Sequence, residues 1–415
     1  MKILYFHQHF STPHGTSGTR SFELARALIS AGHEVTVVCG SFQHAGLNCP
    51  VDAQTRWRRG DVDGIDVIAL PFKYSNRDSL PRRVVTFLLF ALHSIRIALN
   101  QDYDLIFATS TPLTAGLPGI AARWLRNKPF IFEVRDLWPE LPKALGMRNP
   151  LLLAGMSLLA RVTYMSAKAC VGLSPGIMEG IRRRAQPGKP LIMIPNGCDL
   201  DLFKPGPKVA LPFPGLCEGD FVAAYTGTIG PANGLDTLLS AAAILKRRGN
   251  QNIKILIIGD GKEKDRLVAL ATSQGLDNCA FLPPLPKIQL ASFVRNFGCG
   301  LMVLKNIPAF YAGTSPNKFF DYIAAGIPVL NNYPGWLADI ICEQECGIVV
   351  PPDDPGALAS TLEQLASDAD GCIKMGRNAR VLAEERFGRT ALAARFIAFI
   401  ETQVKTKPSR RLSSL

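Results

Sequence analysis

Two short segments combine residue types that can hold a phosphorylated ligand. The first, residues 314–329, reads Thr314-Ser315-Pro316-Asn317-Lys318-Phe319-Phe320-Asp321-Tyr322-Ile323-Ala324-Ala325-Gly326-Ile327-Pro328-Val329. Ser315 suits a helix N-cap, Pro316 the first helical position, and Gly326 the stop before a strand. Phe319, Phe320 and Ile323 then face the core, which leaves Lys318 and Asp321 together near the helix N-terminus. A cation beside free N–H groups suits a diphosphate, and a carboxylate one turn along can accept two hydrogen bonds from a ribose diol. The same spacing also fits a solvated surface ion pair. The second segment, residues 13–20, reads Pro13-His14-Gly15-Thr16-Ser17-Gly18-Thr19-Arg20. It falls between a strand and a helix start, where backbone amides and the helix dipole favour an anion, and Gly15 and Gly18 permit close approach of a phosphate. A plain βα turn has the same composition. A nicotinamide fingerprint does not fit, because the three-glycine spacing is absent and the second strand ends at Cys39-Gly40 without an acid for a ribose diol.

Alternating strand and helix patterns must position these segments. Strand 2–6, helix 19–31 with Phe22, Ala25, Leu28 and Ile29 on one face, and strand 34–39 form a βαβ unit. Apolar runs at 66–70, 105–108, 130–134, 169–173 and 191–194 extend a parallel sheet. The pattern breaks over 201–220, where Pro205, Pro207, Pro212 and Pro214 mark a linker. It restarts with strand 221–225, helix 235–246, strand 254–258, helix 262–274 and strands at 279–282, 299–304 and 328–331. A chain of 415 residues with 47% apolar content is too long for one core of ordinary size. The expected domains are 1–205 and 206–404, with a basic, disordered tail at 405–415. Two doubly wound domains facing each other place a ligand in the cleft between the carboxyl ends of their strands.

Composition narrows the partners. Residues 1–205 carry 24 Lys/Arg against 15 Asp/Glu, and residues 206–415 carry 22 against 19, so the excess of positive charge lies in the first half. Such a surface attracts nucleic acid, anionic lipid or a phosphorylated substrate. Zinc-finger spacing, RNP-like aromatics and dense basic runs beyond Arg182-Arg183-Arg184 are absent, which argues against nucleic acid. The ten cysteines form no C-x-x-C pair and read as small buried residues of a reducing cytosol. The opening residues lack a signal-peptide pattern, so a cytoplasmic location is expected. Residues 81–100 are apolar, but His93, Ser94 and Arg96 interrupt them and the run falls short of a span. Either a buried helix or an interfacial helix with Arg82, Arg83 and Arg96 at lipid phosphates fits, and residues 151–169 pose the same choice.

Several motifs occur in order along the chain: Ile194-Pro195-Asn196-Gly197-Cys198-Asp199, Tyr225-Thr226-Gly227, Gly259-Asp260-Gly261 and Ala325-Gly326-Ile327-Pro328-Val329. Together they resemble the landmarks of the family 4 retaining glycosyltransferases. Residues 15–20, 32–37 and 134–140, the last reading Val134-Arg135-Asp136-Leu137-Trp138-Pro139-Glu140, resemble the subgroup that builds bacterial surface polysaccharides, including N-acetylfucosamine transferases. The resemblance implies an α/β GT-B fold of two Rossmann-like domains, a nucleotide-sugar donor held mainly by the second, retention at the anomeric carbon, and no metal or cofactor. It implies a hexosyltransferase using a UDP-linked donor and a polyprenyl-diphosphate-linked or other saccharide acceptor. O-antigen, capsule or exopolysaccharide synthesis, peripheral to the inner membrane, is the implied setting.

The resemblance also assigns residues. Asp321 falls where relatives bind the donor ribose, residues 314–318 where they wrap the diphosphate, and Asp136 on the acid of a His-Asp segment whose histidine is here Arg135. Arg135, Asp136 and Glu140 are the candidate catalytic residues. Gly15, Gly18, Arg20, Thr228, Lys305, Ser315, Asn317, Lys318 and Asp321 are the candidate donor-binding residues. Three features depart from the family. Gly313 replaces the first acid of its E-x7-E motif, and Thr228 and Asn233 replace an Arg and a Lys, leaving Lys318, Lys305 and Arg20 as substitute cations. A non-hydrolysing nucleotide-sugar epimerase and a silent nucleotide-sugar-binding partner are the competing readings; the first converts donor without a second substrate and the second binds without turnover.

Overall fold

The computed structural model describes residues 1–40, 47, 49, 57–75, 78–213 and 215–405. Two sheets organise the chain. The first contains β1 (Lys2–Phe6), β2 (Glu34–Gly40), β3 (Arg58–Val62), β4 (Ile65–Leu70), β5 (Leu105–Thr109), β6 (Phe130–Val134), β7 (Ala169–Gly172) and β8 (Leu191–Met193). Their spatial order is β3-β4-β2-β1-β5-β6-β7-β8, and every pairing except β3 with β4 is parallel. Helices on both faces bury the central strands, which explains why β5 and β6 are apolar on both sides rather than alternating. Strand β3 carries Arg58, Arg59 and Asp61 and shows no such run, so periodicity does not reveal it. It is an edge strand returned by Asp63-Gly64, both at positive φ (51° and 84°), the conformation of a tight Asp-Gly hairpin.

The second sheet contains β9 (Phe221–Thr226), β10 (Ile253–Ile258), β11 (Cys279–Leu282), β12 (Cys299–Met302), β13 (Val329–Asn331) and β14 (Gly347–Val349), all parallel in the order β11-β10-β9-β12-β13-β14. Chain order reverses direction between β1 and β5 in the first sheet and between β9 and β12 in the second. Crevices at such reversals, at the carboxyl ends of the strands, are where doubly wound sheets bind ligands.

The helix Asn317–Ala324 lies on the second sheet because its apolar face is fully buried. Phe319, Phe320, Tyr322 and Ile323 have no solvent exposure. The Tyr322 ring packs on Gly300 of β12, where an added Cβ would stand only 2.3 Å from the ring. Its hydroxyl accepts the Thr226 N–H at 3.0 Å and donates to the Ala224 carbonyl at 3.0 Å. The helix is thereby locked over the ends of β9 and β12.

The closing helix, Arg389–Lys405, follows the second half in sequence but packs into the first core. Leu392, Ala393, Phe396 and Ile400 are buried among Tyr5, Leu28 and Phe107. Phe396 meets Phe107 edge-on at 5.0 Å. The reason is spatial: Cys198 N–H donates to the Phe387 carbonyl at 2.7 Å and the Cys198 carbonyl accepts from Arg389 N–H at 3.0 Å, returning the chain to the first sheet. Residues 406–415, expected as a disordered tail, and Pro214 of the expected linker lie outside the described residues. Truncating Phe396 to Ala should destabilise the first half by about 3–5 kcal/mol. Urea unfolding followed by tryptophan fluorescence measures this, and a loss under about 1 kcal/mol would remove the helix from that core.

Candidate functional site

The first wall of the cleft is built from three adjacent strand ends. Beyond β1 stand His7 and His9, beyond β5 stands Thr111, and beyond β6 stand Arg135 and Asp136. The anchor beneath them is Glu133, the fourth residue of β6, which has no solvent exposure. Its Oε1 accepts from Arg20 Nε at 3.0 Å and Nη2 at 2.8 Å, and its Oε2 accepts from Thr109 at 2.6 Å. Burial pushes the Glu133 carboxyl up, but the Arg20 charge and hydrogen bonds, with Arg135 and Thr109, outweigh it and hold the group below its ordinary range. Asp136 is oriented by the Thr111 hydroxyl at 2.7 Å. Arg135 donates to His7 Nε2 at 3.3 Å. Burial, with the charge of Arg135, lowers His7 well below its ordinary value and His9 to about 3, so both imidazoles are neutral near pH 7.

The second wall is the helix Asn317–Ala324 with the loops after β9 and β12. Lys318 lies with its Nζ 3.3 Å from the centroid of the Tyr225 ring, and no carboxylate pairs with it among the described residues. Burial pushes its ammonium well below the ordinary lysine range. Asp321, 6% exposed, pairs through Oδ1 with Lys287 Nζ at 3.3 Å. Burial raises the Asp321 carboxyl despite the pull of Lys287 and Arg389.

Two cavities meet between these walls. One, of about 470 Å³, is lined by Thr16, Gly18, Thr228, Lys287, Lys318 and Asp321 among others. The other, of about 530 Å³, is lined by His7, His9, Arg135, Asp136, Glu140 and Ser315 among others. Ser17, Gly18, Thr314, Pro316 and Asn317 line both, so the cavities form one continuous cleft. Each has the size of a pocket for a small ligand. The halves are tied at this junction by Asn196 Nδ2 donating to the Ser315 carbonyl at 2.7 Å and by Ser174 Oγ donating to the carbonyls of Ala312 and Gly313 at 3.2 and 3.1 Å. Buried polar atoms without protein partners gather in the second cavity: His7 Nδ1, Glu140 Oε2, Asn196 Oδ1 and Ser315 Oγ. Such atoms need water or a ligand.

The structure brings most of the sequence-predicted residues together and relocates others. Gly18, Thr228, Asn317, Lys318 and Asp321 share the first cavity; Arg135, Asp136, Glu140 and Ser315 share the second. Arg20 is corrected. It is 7% exposed, and besides Glu133 it donates to the carbonyls of Pro195 and Ile194 at 2.6 and 2.7 Å, so it faces the protein rather than a phosphate. Lys305 is also corrected: it is exposed and lines neither cavity, because Leu304 N–H is held by Asn332 Oδ1 and the chain turns outward after β12. Gly15 lies outside both linings, with its amide bonded to the Thr12 carbonyl and its carbonyl accepting from Lys287 N–H at 3.3 Å. Ser315 makes no cap bond, since Pro316 occupies the N-cap position. Glu140 is partnered by Arg184, which occupies one of its two oxygens. Lys318 and Asp321 do not form the alternative surface ion pair, each finding its partner on another element. Sequence reasoning missed Lys287, His7, His9 and Thr111. His7 and His9 carried a usable signal, lying directly after the first strand.

Residues 15–197 match the glycosyl transferase 4-like domain, and residues 212–382 match the family described as glycosyl transferases group 1. The chain is 30% identical over 340 residues to D-inositol 3-phosphate glycosyltransferase 2 of Catenulispora acidiphila, covering 79% of this chain and 77% of that one. Among solved structures it is similar to WaaG, a glycosyltransferase involved in lipopolysaccharide biosynthesis, with a TM-score of 0.69 and 16% identity over 96% of this chain and 99% of that one. It is also similar to HepE of Anabaena in complex with UDP-glucose, with a TM-score of 0.67 and 17% identity over 97% of this chain and 100% of that one.

The position of Arg20 gives a prediction opposite to that of a phosphate ligand. Arg20→Ala leaves Glu133 buried and unpaired and should cost about 3–5 kcal/mol of stability. Because the folded Glu133 carboxyl is held low, its stabilisation is complete above the unfolded carboxyl range and is lost as pH falls through its folded value. Stability measured by denaturant from pH 7 to pH 3 should therefore fall less steeply in Glu133→Gln than in the parent. Equal slopes would deny the pair this role.

Proposed function

This chain belongs to the GT-B glycosyltransferases, its halves matching the 4-like and group 1 families, and we propose that it moves a hexosyl group from a UDP-linked donor to a saccharide acceptor with retention at the anomeric carbon. The acceptor is a polyprenyl-diphosphate-linked saccharide of bacterial surface polysaccharide synthesis. One observation carries the donor reading: a single helix brings Lys318 and Asp321 into one cavity, which opens directly onto the cavity of Asp136. The surface-polysaccharide setting and the N-acetylfucosamine-type subgroup rest on the motifs at 15–20, 32–37 and 134–140 and draw support from the likeness to WaaG.

Departure of the nucleotide leaves negative charge on the diphosphate while the anomeric carbon becomes cationic, so the site must work by placed charges and dipoles. Lys318 and the first N–H groups of the helix Asn317–Ala324 face the leaving diphosphate, with the amides of Thr16 to Gly18 on the opposite wall. Asp321 accepts the ribose hydroxyls through Oδ2, while Lys287 holds Oδ1. Asp136, fixed by Thr111, orients a sugar or acceptor hydroxyl. Arg135 and Glu140 shape that pocket.

A panel of UDP- and GDP-sugars scored for nucleotide release, with and without polyprenyl-diphosphate saccharides, tests the whole reading. Release that requires the acceptor, with product keeping the donor's anomeric configuration by NMR, is the expected outcome. Conversion of donor alone would indicate an epimerase, and binding without release a silent partner.

The two charges should also fail differently. Asp321→Asn keeps the shape and loses charge-assisted bonds, costing roughly 1.5–3 kcal/mol in donor binding. A 2′-deoxy donor analogue should bind poorly to the parent and lose little further in this variant. Equal discrimination by both proteins would place the ribose elsewhere. Lys318→Met should lower turnover more than affinity. Since burial holds the free Lys318 ammonium below the ordinary lysine range, a diphosphate placed against it favours protonation, and UDP binding at alkaline pH should take up a proton. Calorimetry in two buffers of different ionisation enthalpy reads this uptake, which Lys318→Met should abolish.

A further inference from the structure

Exposed apolar surface is concentrated on one face of the first half. The helices Leu80–Asn100, Leu117–Leu125 and Pro150–Ser166 pack side by side. They hold twelve of the seventeen exposed large apolar side chains among the described residues. Leu92 is 61% exposed, Trp124 72%, Leu125 70% and Leu151 82%, with Leu88 and Leu158 also open. On its inner side the first of these helices buries Thr86, Phe90, Ser94, Ile97 and Ala98. A helix apolar on both sides has two apolar surroundings, and the protein supplies one of them.

Charge identifies the other. The three helices contain Arg82, Arg83, Arg96, Arg123 and Arg161 and no Asp, Glu or Lys. All but Arg83 are exposed. A second copy of the chain brought against this face by two-fold symmetry would set arginines against arginines. Among the described residues only Arg82 of these arginines has a carboxylate partner, Asp78 at 3.5 Å. Exposed leucines and a tryptophan among such guanidinium groups instead match the headgroup region of an anionic bilayer, where the apolar side chains enter the acyl boundary and arginines meet phosphates. The helix Leu80–Asn100 is long and apolar enough to cross a bilayer. Spanning would strip its inner face from the first sheet's core, so it lies on the surface.

The face adjoins the cleft. Phe87, on the same helix, stacks on Tyr74 with centroids 5.5 Å apart and meets His9 edge-on at 6.3 Å. Tyr74 lines the first cavity and His9 the second. We propose that this three-helix face docks on an anionic membrane surface and sets the second cavity beside it, so that a lipid-held acceptor reaches Asp136 without leaving the bilayer. The acceptor clause rests on the transfer reading above; the docking does not.

Flotation of the full chain with phosphatidylcholine vesicles, with or without phosphatidylglycerol, tests the docking, with UDP binding measured in parallel without vesicles. The parent should float with phosphatidylglycerol vesicles at low salt and lose binding at high salt. Arg82→Gln and Arg96→Gln should each weaken this on the order of 5-fold. Leu88→Glu with Leu92→Glu should abolish it, while Ile373→Glu with Val381→Glu, at exposed apolar positions of the second half, should leave it intact. All variants should keep their melting temperature and UDP affinity. A parent that ignores the anionic vesicles, or Leu88/Leu92 variants that bind them as well as the parent, would overturn the proposal. So would a dimer seen by light scattering that those variants dissociate, with no vesicle binding. Vesicle binding in a protein that fails to bind UDP would support docking while removing the transfer reading.

Discussion

A carboxylate without solvent, Glu133, is the constraint on which the first wall depends. An ionised group in that place is tolerable only with a cation and hydrogen bonds matched to it. Arg20 supplies the cation and two bonds, Thr109 a third, and the remaining Arg20 donors reach the carbonyls of Ile194 and Pro195. One guanidinium thus joins the first helix, β6 and the segment leaving β8. Ser110, Thr111, Arg135 and Asp136 stand one to three residues beyond these anchors, so the second cavity takes its shape from a pair that lines neither cavity. Replacing such a pair with apolar residues often costs little, whereas removing one member costs much. Its use here is definition of position.

The second wall follows a different rule. Tyr322 and its apolar neighbours fix the helix, leaving Lys318 and Asp321 desolvated toward the cleft. Lys318 has an aromatic face where an anion would serve better, and Asp321 has one lysine where hydroxyl donors could add to it. Burial therefore drives both groups toward neutrality, the ammonium downward and the carboxyl upward. Under the proposed donor reading, a diphosphate joined to a ribose would relieve both at once, which a structural ion pair would not need.

The α/β alternation was legible because each central strand is an apolar run ended by glycine, proline or a polar loop, and β6 over Phe130–Val134 has the bounds expected of it. The helix carrying Lys318 and Asp321 was legible from Phe319, Phe320 and Ile323, whose spacing leaves those two residues on one side. What each charge meets was not. Arg20 opens the first helix directly after a glycine-rich turn that suits a phosphate, yet its partner is 113 residues away in β6, and no local pattern records that contact. Lys287 was missed for the same reason, since its pairing with Asp321 arises only when the helices Lys287–Val294 and Asn317–Ala324 converge. The exposure of Leu88 and Leu92 was equally hidden, because a helix apolar all round gives no periodicity from which to choose its inner face.

The junction of the cavities limits the chemistry that transfer can use. Under the proposed transfer, donor and acceptor would meet where the linings overlap, at Ser17, Gly18, Thr314, Pro316 and Asn317. At Gly18 an added Cβ would lie 2.4 Å from Asn317 Nδ2, so that side chain would have to move to admit one. A route through a covalent glycosyl-enzyme needs a carboxylate at the reacting carbon. None of these five residues supplies one, and the carboxylates of the two walls, Asp136 with Glu140 and Asp260 with Asp321, belong to separate cavities. Under the proposed transfer with retention, the acceptor oxygen attacks from the face that the diphosphate leaves, as the resemblance to the family implies, and stabilisation of the cationic centre falls to the departing phosphate itself. That phosphate must remain close as the bond breaks, which is the task that Lys318 and the helix N-terminus are placed to perform.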